Sequence, residues 1–183
     1  MGKAVSLFSG SLASIVATSL VNCEESVEGV DLITFRSPFF ENYELIKETA
    51  QQLWPNLSFR SQSVKKKCEE LSNIPSEGSF NITASCKGCR TLLLRRGKRF
   101  MDRVGGDFLV TGEILGRNGI GEEVISLIDK EAGVEGLVYR PLSADLLASS
   151  RAEEEGKPNL RHNSRPGRAF EAIGVRIGRQ RYL

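Results

Sequence analysis

A cluster of small polar residues after an apolar run is the first pattern that could do chemistry. Residues 6–14 read SLFSGSLAS, so an apolar run passes through Ser9, Gly10 and Ser11 into a helix pattern that includes Ser14. A strand that enters a helix in this way directs unpaired backbone N–H groups and the positive end of the helix dipole at one spot. Serine hydroxyls add donors, and glycine lets an anion approach closely. The pattern predicts a phosphate site, although a serine that caps the helix explains Ser9 or Ser11 equally well.

Two cysteines three residues apart form the second pattern. The stretch CKGC contains Cys86 and Cys89, and we predict a basic helix from about Cys89 to Val104. The dipole at a helix start lowers the pKa of a thiol, and Lys87 and Arg90 add positive charge. In such a pair one thiolate can carry sulfur while the other releases it as a disulfide forms. The pattern therefore predicts thiol chemistry.

A metal site is the alternative for this pair. Two thiolates are too few ligands for zinc or an iron–sulfur cluster, and Cys68 could supply a third. Cys23 falls on the apolar face of the first predicted helix, so we expect it in the core. We favour thiol chemistry over a metal site and a metal site over a purely structural pair. No residue is assigned as a metal ligand, and an iron–sulfur cluster stays open.

Strand and helix signals alternate along the chain and must position these residues. We predict strands at residues 3–8, 29–35, 56–62, 106–112 and 135–142, with helical patterns between them. This alternation indicates right-handed βαβ units. We therefore predict an α/β fold, a Rossmann-like five-stranded parallel sheet with helices on both faces. Ligands bind such sheets beyond the carboxyl ends of the strands, so the loops of interest follow Phe8, Phe35, Thr111 and Tyr139.

The composition is that of an ordinary globular domain with an uneven charge distribution. The 183 residues are 40% hydrophobic and 26% charged. No apolar run approaches the roughly 20 residues of a membrane span, and the first residues lack a signal-peptide layout, so we expect a cytoplasmic protein that does not enter a membrane. Residues 157–183 hold seven Lys and Arg residues against one Glu. We predict that residues 148–183 form a basic, breaker-rich C-terminal tail, which either contacts RNA or is merely solvated.

Three arginines in the predicted basic helix recur every four residues. Arg95, Arg99 and Arg103 therefore share one face. A solvated helix face explains this stripe, and so does a track for RNA phosphates next to the cysteine pair. We predict RNA binding there.

The loop at residues 7–14, LFSGSLAS, resembles the SGGxDS pyrophosphate-binding loop of the PP-loop ATPases, the adenine nucleotide alpha hydrolase group that includes the tRNA sulfurtransferases that make thiouridines. The resemblance continues through LITFRSPFF, the block SCKGCRTLLLRRGKRFMDRVGGDFLVTGEILG, and LIDKEAGVEGLVYRPLSADLL. Together these segments cover most of residues 3–147 in the same order. The resemblance implies a PP-loop ATP-binding domain at residues 1–147, with ATP and Mg²⁺ as cofactors.

The loop matches the family motif in part. Ser9, Gly10 and Ser14 match its first serine, first glycine and last serine. Ser11 stands where the second glycine is usual, and Ala13 stands where the aspartate is usual. Because the aspartate is missing, we expect this chain to differ from the family in how it binds magnesium and pyrophosphate.

The resemblance also implies roles for residues outside this loop. Thr34 and Phe35 fall where the end of the second strand contacts adenosine, and Thr111 and Gly112 fall in a loop that also faces the nucleotide. In thiouridine-forming enzymes of this kind, a cysteine at the position of Cys89 belongs to the active site. Its partner there often lies elsewhere in the sequence.

These observations predict an ATP-dependent tRNA sulfurtransferase-like protein. In this hypothesis ATP adenylates a uridine carbonyl oxygen, and sulfur delivered through Cys86 and Cys89 displaces AMP. The expected partners are tRNA and a sulfur-donor protein, and a homo-oligomer is allowed. The alternatives are a catalytically weakened nucleotide- or RNA-binding protein, which Ala13 favours, and a PP-loop amide ligase. The cysteine pair favours sulfur over amide formation, and the basic tail favours RNA over a small substrate.

Overall fold

The computed structural model describes residues 2–36, 42–64, 82–116 and 121–143, together with residues 147 and 154. The elements in these ranges are β1 (Gly2–Leu7), α1 (Leu12–Asn22), β2 (Val27–Arg36), α2 (Tyr43–Leu53), β3 (Ser58–Ser63), α3 (Ile82–Val104), β4 (Phe108–Val110), α4 (Glu122–Ala132) and β5 (Val138–Tyr139). The predicted tail, except residue 154, and Cys68 lie outside the described residues. The predicted domain boundary at residues 147 and 148 stays a prediction.

The five strands form one parallel sheet in the order β3-β2-β1-β4-β5. This arrangement confirms the predicted Rossmann-like fold class. The central strand is β1, so the loop that follows it lies at the middle of the carboxyl edge. β4 and β5 are shorter than the sequence predicts, with three and two residues.

Alternating residues of the strands bury two separate cores. Ala4 and Phe8 pack with Ala17 of α1 and Ala50 of α2 on one face of the sheet. The opposite core holds the intervening Val5 with side chains of α3 and α4, which include Leu94, Met101, Ile128 and Ala132. This alternation follows from the two-residue repeat of a strand, and it places helices on both faces as predicted.

The amino edge of the sheet is held by charged residues. The Lys3 backbone N–H donates to Asp107 Oδ2 over 2.7 Å, and Lys3 Nζ lies 2.8 Å from Asp31 Oδ2 and 3.1 Å from the carbonyl oxygen of Val104. These contacts join β1 to β2 and to the turn before β4. They lie at the edge opposite to the predicted ligand loops, so they have a structural role.

The described helix α3 begins at Ile82, seven residues before the predicted start. Its 23 residues span about 34 Å, whereas the six residues of β1 span about 20 Å. A Cβ on Gly97 would lie 3.0 Å from Leu7 Cδ1, so the middle of α3 packs at the end of β1. The first half of α3 therefore extends past the carboxyl edge of the sheet. None of the helices in the described ranges is long and apolar enough to cross a membrane.

Two cysteine predictions are corrected by these boundaries. The pair Cys86 and Cys89 lies inside α3 and not ahead of it, so neither residue stands in the first turn, where the helix dipole acts. Cys23 is exposed and is not a core residue. It is the C-cap of α1, where its N–H donates to Ser19 O over 3.1 Å, so its side chain has left the apolar face of the helix.

Candidate functional site

The hydroxyls of Ser9, Ser11 and Ser14, here called the serine cluster, converge at the carboxyl end of β1. Ser9 Oγ lies 2.9 Å from Ser11 Oγ and 3.2 Å from Ser14 Oγ. Ser14 is buried, whereas Ser9 and Ser11 are exposed. Gly10 has φ +73°, a conformation that favours glycine, and this residue turns the chain from β1 into α1. Ser9 and Ser11 therefore present hydroxyl groups to solvent at the middle of the sheet edge, and the buried Ser14 lies beneath them.

The cluster also caps α1. Ser11 is the N-cap residue, and its side chain accepts a hydrogen bond from the Ser14 N–H over 3.3 Å. In return Ser14 Oγ donates to the Ser11 carbonyl oxygen over 2.9 Å. The first turn of a helix supplies no internal partner for its leading N–H groups, here those of Leu12 and Ala13. The capping role of Ser11 is thus observed, and it is compatible with an anion site over these N–H groups.

A buried hydroxyl pair fixes the helix that carries Ser14. Thr18 Oγ1 donates to the Ser14 carbonyl oxygen over 2.8 Å and lies 2.8 Å from Ser6 Oγ. Ser6 and Thr18 are buried polar residues of β1 and α1. This pair was not predicted from the sequence, although polar residues at core positions of a strand and a helix indicate a buried hydrogen bond between the two elements. Because they join α1 to β1, they hold the serine cluster in register with the sheet.

Two glycines bring neighbouring elements against the loop. A Cβ on Gly10 would lie 2.9 Å from Ile46 Cγ1 of α2. A Cβ on Gly112 would lie 2.6 Å from the Ser14 backbone nitrogen and 2.6 Å from the Ala13 carbonyl carbon. The structure therefore brings the predicted residues Thr111 and Gly112 to the loop after β1.

The predicted adenosine contacts at the end of β2 have buried side chains. Thr34 is 2% exposed and Phe35 is 8% exposed. Phe35 packs in the same core as Val64 and Leu94, under α3. A ligand above this strand would meet the backbone rather than these side chains, and the adenosine contact stays a prediction.

A network of charged residues lies beside Gly112. Arg140 donates from Nε to Glu113 Oε2 over 2.8 Å, and its NH1 and NH2 groups donate to the two carboxylate oxygens of Asp129 over 2.9 and 2.7 Å. Arg90 NH1 donates to Glu113 Oε1 over 2.8 Å, and Thr111 Oγ1 donates to Glu113 Oε2 over 3.3 Å. Both oxygens of Glu113 therefore have cationic partners. The network joins α3, α4, β5 and the loop after β4.

Burial and pairing oppose each other in this network. Burial raises the pKa of the Asp129 carboxyl, against the effect of the hydrogen bonds from Arg140. Burial lowers the pKa of Arg140, but the hydrogen bond to Asp129 and the charge of Glu113 outweigh it and raise this pKa above its ordinary value. Arg140 is therefore charged throughout the physiological range. The network is not predictable from local sequence patterns, because the charged residues that bind each other are 11 to 27 residues apart along the chain.

The described residues do not fit a magnesium site at the serine cluster. Ala13 supplies no carboxylate, and Glu113, which follows Gly112, has both oxygens bound to guanidinium groups. Among the residues that the structure describes, no group of three or more His, Cys, Asp and Glu side chains could hold a metal ion. The predicted Mg²⁺ cofactor is therefore not supported by the side chains in these ranges. An iron–sulfur cluster stays a prediction, since Cys68 and the side chain of Cys86 lie outside the described residues.

The contacts of α3 bring the neighbourhood of Cys89 to the ligand loops. Cys89 is half-buried, and the next residue, Arg90, binds Glu113. Lys87 forms an ion pair of 3.1 Å with Glu131 of α4. The backbone of α3 places Cys86 less than one turn before Cys89. The first half of this helix is thus attached to the loop after β4, which in turn contacts the serine cluster.

The predicted arginine stripe lies along the second half of α3. Arg95, Arg99 and Arg103 are all exposed. Arg95 NH2 donates to the Glu131 carbonyl oxygen over 2.7 Å, near the end of α4. The stripe runs away from Cys89 toward the amino edge, and Arg103 lies about 21 Å along the helix from it. RNA binding by these residues stays a prediction.

The comparisons with known proteins support the fold. No protein-family model and no curated protein matches the sequence. Among solved structures, the chain is similar to the crystal structure of a predicted subunit of a tRNA methyltransferase from Methanocaldococcus jannaschii, with a TM-score of 0.51 and 19% sequence identity. The match covers 78% of this chain and 68% of the other. At this level of identity the match shows that the chain shares the fold of that protein.

Proposed function

We propose that this protein is an ATP-dependent tRNA sulfurtransferase-like enzyme of the PP-loop type. The serine cluster binds the phosphates of the nucleotide, and Cys89 with Cys86 delivers sulfur to a uridine of tRNA. The choice of tRNA is supported by the exposed arginine stripe and by the structural neighbour, which is described as a predicted subunit of a tRNA methyltransferase. A sulfur-donor protein is part of the proposal, and a homo-oligomer and a cytoplasmic location remain expectations from the sequence.

One observation carries the proposal. Three segments that the sequence analysis singled out independently lie in one continuous set of contacts. Gly112 packs on Ser14 of the serine cluster, and its neighbour Glu113 binds Arg90, which directly follows Cys89. A phosphate site and a thiol-bearing helix at one edge of the sheet are the two parts that adenylation followed by sulfur transfer needs.

The chemistry divides into two displacements. First, the uridine carbonyl oxygen attacks the α-phosphorus of ATP, which forms an adenylated uridine and releases pyrophosphate. Next, the terminal sulfur of a persulfide on Cys89 attacks the activated carbon, and AMP leaves. The Cys86 thiolate then attacks the Cys89 sulfur, which breaks the S–S bond to the new thiouridine and forms a Cys86–Cys89 disulfide. A thiol reductant must reopen that disulfide, and a donor protein must supply the persulfide sulfur.

The protein's own groups have limited tasks in this scheme. The first-turn N–H groups of α1 and the hydroxyls of Ser9 and Ser11 bind and orient the phosphates. Ser14 positions both by its hydrogen bonds to the loop. Arg90 attaches the helix that carries Cys89 to the loop after β4 through its ion pair with Glu113.

A second candidate is a nucleotide- or RNA-binding protein that does not turn ATP over. The specific observation concerns the described residues at the loop, where Ala13 carries no carboxylate and Glu113 is bound by Arg90 and Arg140. Such a protein would bind AMP or sulfate through N–H and hydroxyl groups without Mg²⁺. The two candidates share the phosphate site and differ in turnover.

The deciding experiment measures AMP release and thionucleoside formation with purified protein, tRNA, ATP and a persulfide donor. We expect Cys89→Ser to lose thionucleoside formation, whereas the matched control Cys23→Ser, at the exposed end of α1, keeps it. If the protein binds ATP but forms neither product, the second candidate is correct. If ATP, AMP and tRNA all fail to bind at millimolar nucleotide, both candidates are wrong.

The role of Ala13 is tested separately by restoring the family pattern. The double variant Ala13→Asp with Ser11→Gly supplies a carboxylate for Mg²⁺, and glycine is tolerated at the N-cap at a cost of only a few tenths of a kcal/mol. We expect Mg²⁺-dependent pyrophosphate release to rise in this variant. If the unaltered protein is active and the double variant is inert, other residues organise the chemistry, and the family motif does not describe how this loop works.

A further inference from the structure

A groove between α2 and β3 lies apart from the serine cluster and has no role in the proposed chemistry. Its volume is about 240 Å³. The residues that line it and matter here are Tyr43, Lys47, Gln51, Trp54, Leu57 and Phe59, together called the aromatic groove. A volume of this size admits one planar ring system rather than a folded protein segment.

The aromatic groove offers stacking surfaces. The rings of Tyr43 and Phe59 have centroids 6.4 Å apart and planes inclined by 34°. Trp54 supplies a third ring, which is held edge-on against Phe8 at a centroid distance of 5.7 Å. All three residues are only partly buried, and they line the groove. Stacking on aromatic side chains is the common way in which proteins hold unpaired bases.

Two basic side chains lie beside these rings. Lys47 lines the groove together with the amide of Gln51, and none of the described lining residues carries a carboxylate. The guanidinium of Arg36 lies 5.1 Å from the centroid of the Tyr43 ring. A base that enters the groove would therefore have cations beside its flanking phosphates, which is the charge that single-stranded RNA needs.

The position of the groove favours a polymer as the ligand. β3 is the edge strand of the sheet, so the groove lies beside this edge. Phe8, which contacts Trp54, directly precedes Ser9 of the serine cluster. A strand of RNA with one base in the groove would continue toward the carboxyl edge of the sheet.

We propose that the aromatic groove binds an unpaired nucleobase of the RNA partner, with Lys47 and Arg36 facing the adjacent phosphates. This inference rests on the proposed function for the choice of RNA, and it adds a recognition site on the α2 side of the sheet. It also assigns the groove a sequence-tolerant contact, since every base has a face that can stack.

Trp54 provides the measurement because it is the one tryptophan in the sequence. Short single-stranded RNA is titrated against selectively excited tryptophan emission, beside the same sequence as a duplex and beside AMP. We expect quenching by the single strand and not by the duplex. Tyr43→Leu removes one stacking ring and should weaken single-strand binding about 5- to 150-fold. Lys47→Gln should lower the salt dependence, while Lys130→Gln, on α4 across the sheet, should match the unaltered protein.

The outcomes separate this inference from the proposed function. If RNA binds by filter retention but Trp54 emission and the Tyr43→Leu affinity are unchanged, the groove inference is overturned and the proposed function stands. If only AMP or an aromatic peptide quenches Trp54, the groove binds a different class of ligand and the inference is again overturned. If no RNA binds at all, both the inference and the tRNA part of the proposed function fail, whereas ATP turnover is judged independently. Thermal unfolding checks that each variant folds.

Discussion

The loops after β1 and after β4 touch each other, yet they use polar residues in opposite ways. The loop after β1 carries three hydroxyls and no charge, and two of its serines face solvent. The loop after β4 carries Glu113, which is enclosed by two guanidinium groups and lies in a network with a buried arginine. The hydroxyls bond to one another and can exchange these bonds for a ligand. The charges are fully paired, so they hold elements together.

This contrast teaches that charge alone does not mark the reactive part of a molecule. A buried arginine with bidentate carboxylate contacts is costly to move, because each partner left behind is a buried charge. A hydroxyl cluster at a helix start is cheap to rearrange, because water and ligands replace its bonds. We therefore propose that the loop after β1 binds the ligand, whereas the loop after β4 supports the fold. Five substitutions, with their controls, test this division and the surface beside it.

The largest effect is expected for Arg140→Met, which removes the cation from the supporting network. It leaves Asp129 and Glu113 partly buried with fewer partners, so the free energy of unfolding should fall by about 3–5 kcal/mol. The control Lys98→Met breaks the exposed ion pair with Asp102, whose N–O distance of 2.9 Å is similar. It should lower the free energy of unfolding by about 0.3–0.5 kcal/mol. Urea unfolding measures both. Equal losses in the two variants would remove the distinction between the loops.

The same variant has a pH signature. Burial raises the pKa of Asp129, and the hydrogen bonds of Arg140 oppose that shift. Without Arg140 the folded pKa rises further above the unfolded value, so the proton-bound form is favoured and stability is lost as pH rises through the folded pKa. The deficit of Arg140→Met should therefore be smaller near pH 5 than near pH 7. A deficit that does not change with pH would contradict this account.

The second effect tests the contact between the loops. Gly112→Ala places a Cβ about 2.6 Å from the backbone of Ala13 and Ser14, so the loops must separate. We expect a loss of about 1–3 kcal/mol in the free energy of unfolding together with weaker AMP binding. Gly29→Ala in β2 is the control, because nothing lies within 4 Å of its added Cβ. It should be neutral or stabilising by up to about 1 kcal/mol, and its AMP binding should be unchanged.

The third effect separates binding from stability within α1. Ser14→Ala and Ser19→Ala each delete a buried hydroxyl that donates to a backbone carbonyl, that of Ser11 or Ile15. Each should cost about 1 kcal/mol or less. Calorimetry with AMP and with sulfate should show weaker binding for Ser14→Ala alone. Equal affinities in the two variants would show that the serine cluster does not bind the anion.

The smallest effect on stability is expected on the surface of α3. Arg99→Gln and Arg103→Gln alter exposed side chains, so unfolding should change by less than about 0.5 kcal/mol. Each should nevertheless reduce the slope of tRNA affinity against salt by about 1 if it contacts a phosphate. Lys130→Gln serves as the exposed control on α4. Slopes identical to the unaltered protein would mean that the stripe is only a solvated face.

The fold class and the succession of strands and helices along the chain could be predicted from the sequence, because both depend on local periodicity. The apolar runs at β1 and β2 are dense and bounded by turn residues, so their positions agree to within two residues. The serine cluster could also be located, since a helix that follows a parallel strand must begin at the carboxyl edge. These features need no knowledge of distant residues.

The remaining features depend on distant pairing. In the sequence Arg140 interrupts the apolar pattern of a strand. Its burial becomes favourable only because Asp129 and Glu113, which are distant in the sequence, form ion pairs with it. The early start of α3 has the same origin, since Lys87 and Arg90 are held by Glu131 and Glu113. The prediction that Cys23 lies in the core was wrong for a smaller reason. Helix α1 ends one residue before it, so Cys23 is the C-cap residue and its side chain is exposed.

The central place of β1 has a consequence for how the chain is made. β1 is synthesised before the other four strands of this sheet, and its second neighbour, β4, follows only after about a hundred further residues, as the contact between Lys3 and Asp107 shows. Until then one edge of the central strand has no pairing partner within the sheet. The nascent chain therefore carries this open edge until β4 is made, and the slow closure of such distant pairs exposes that interval to aggregation.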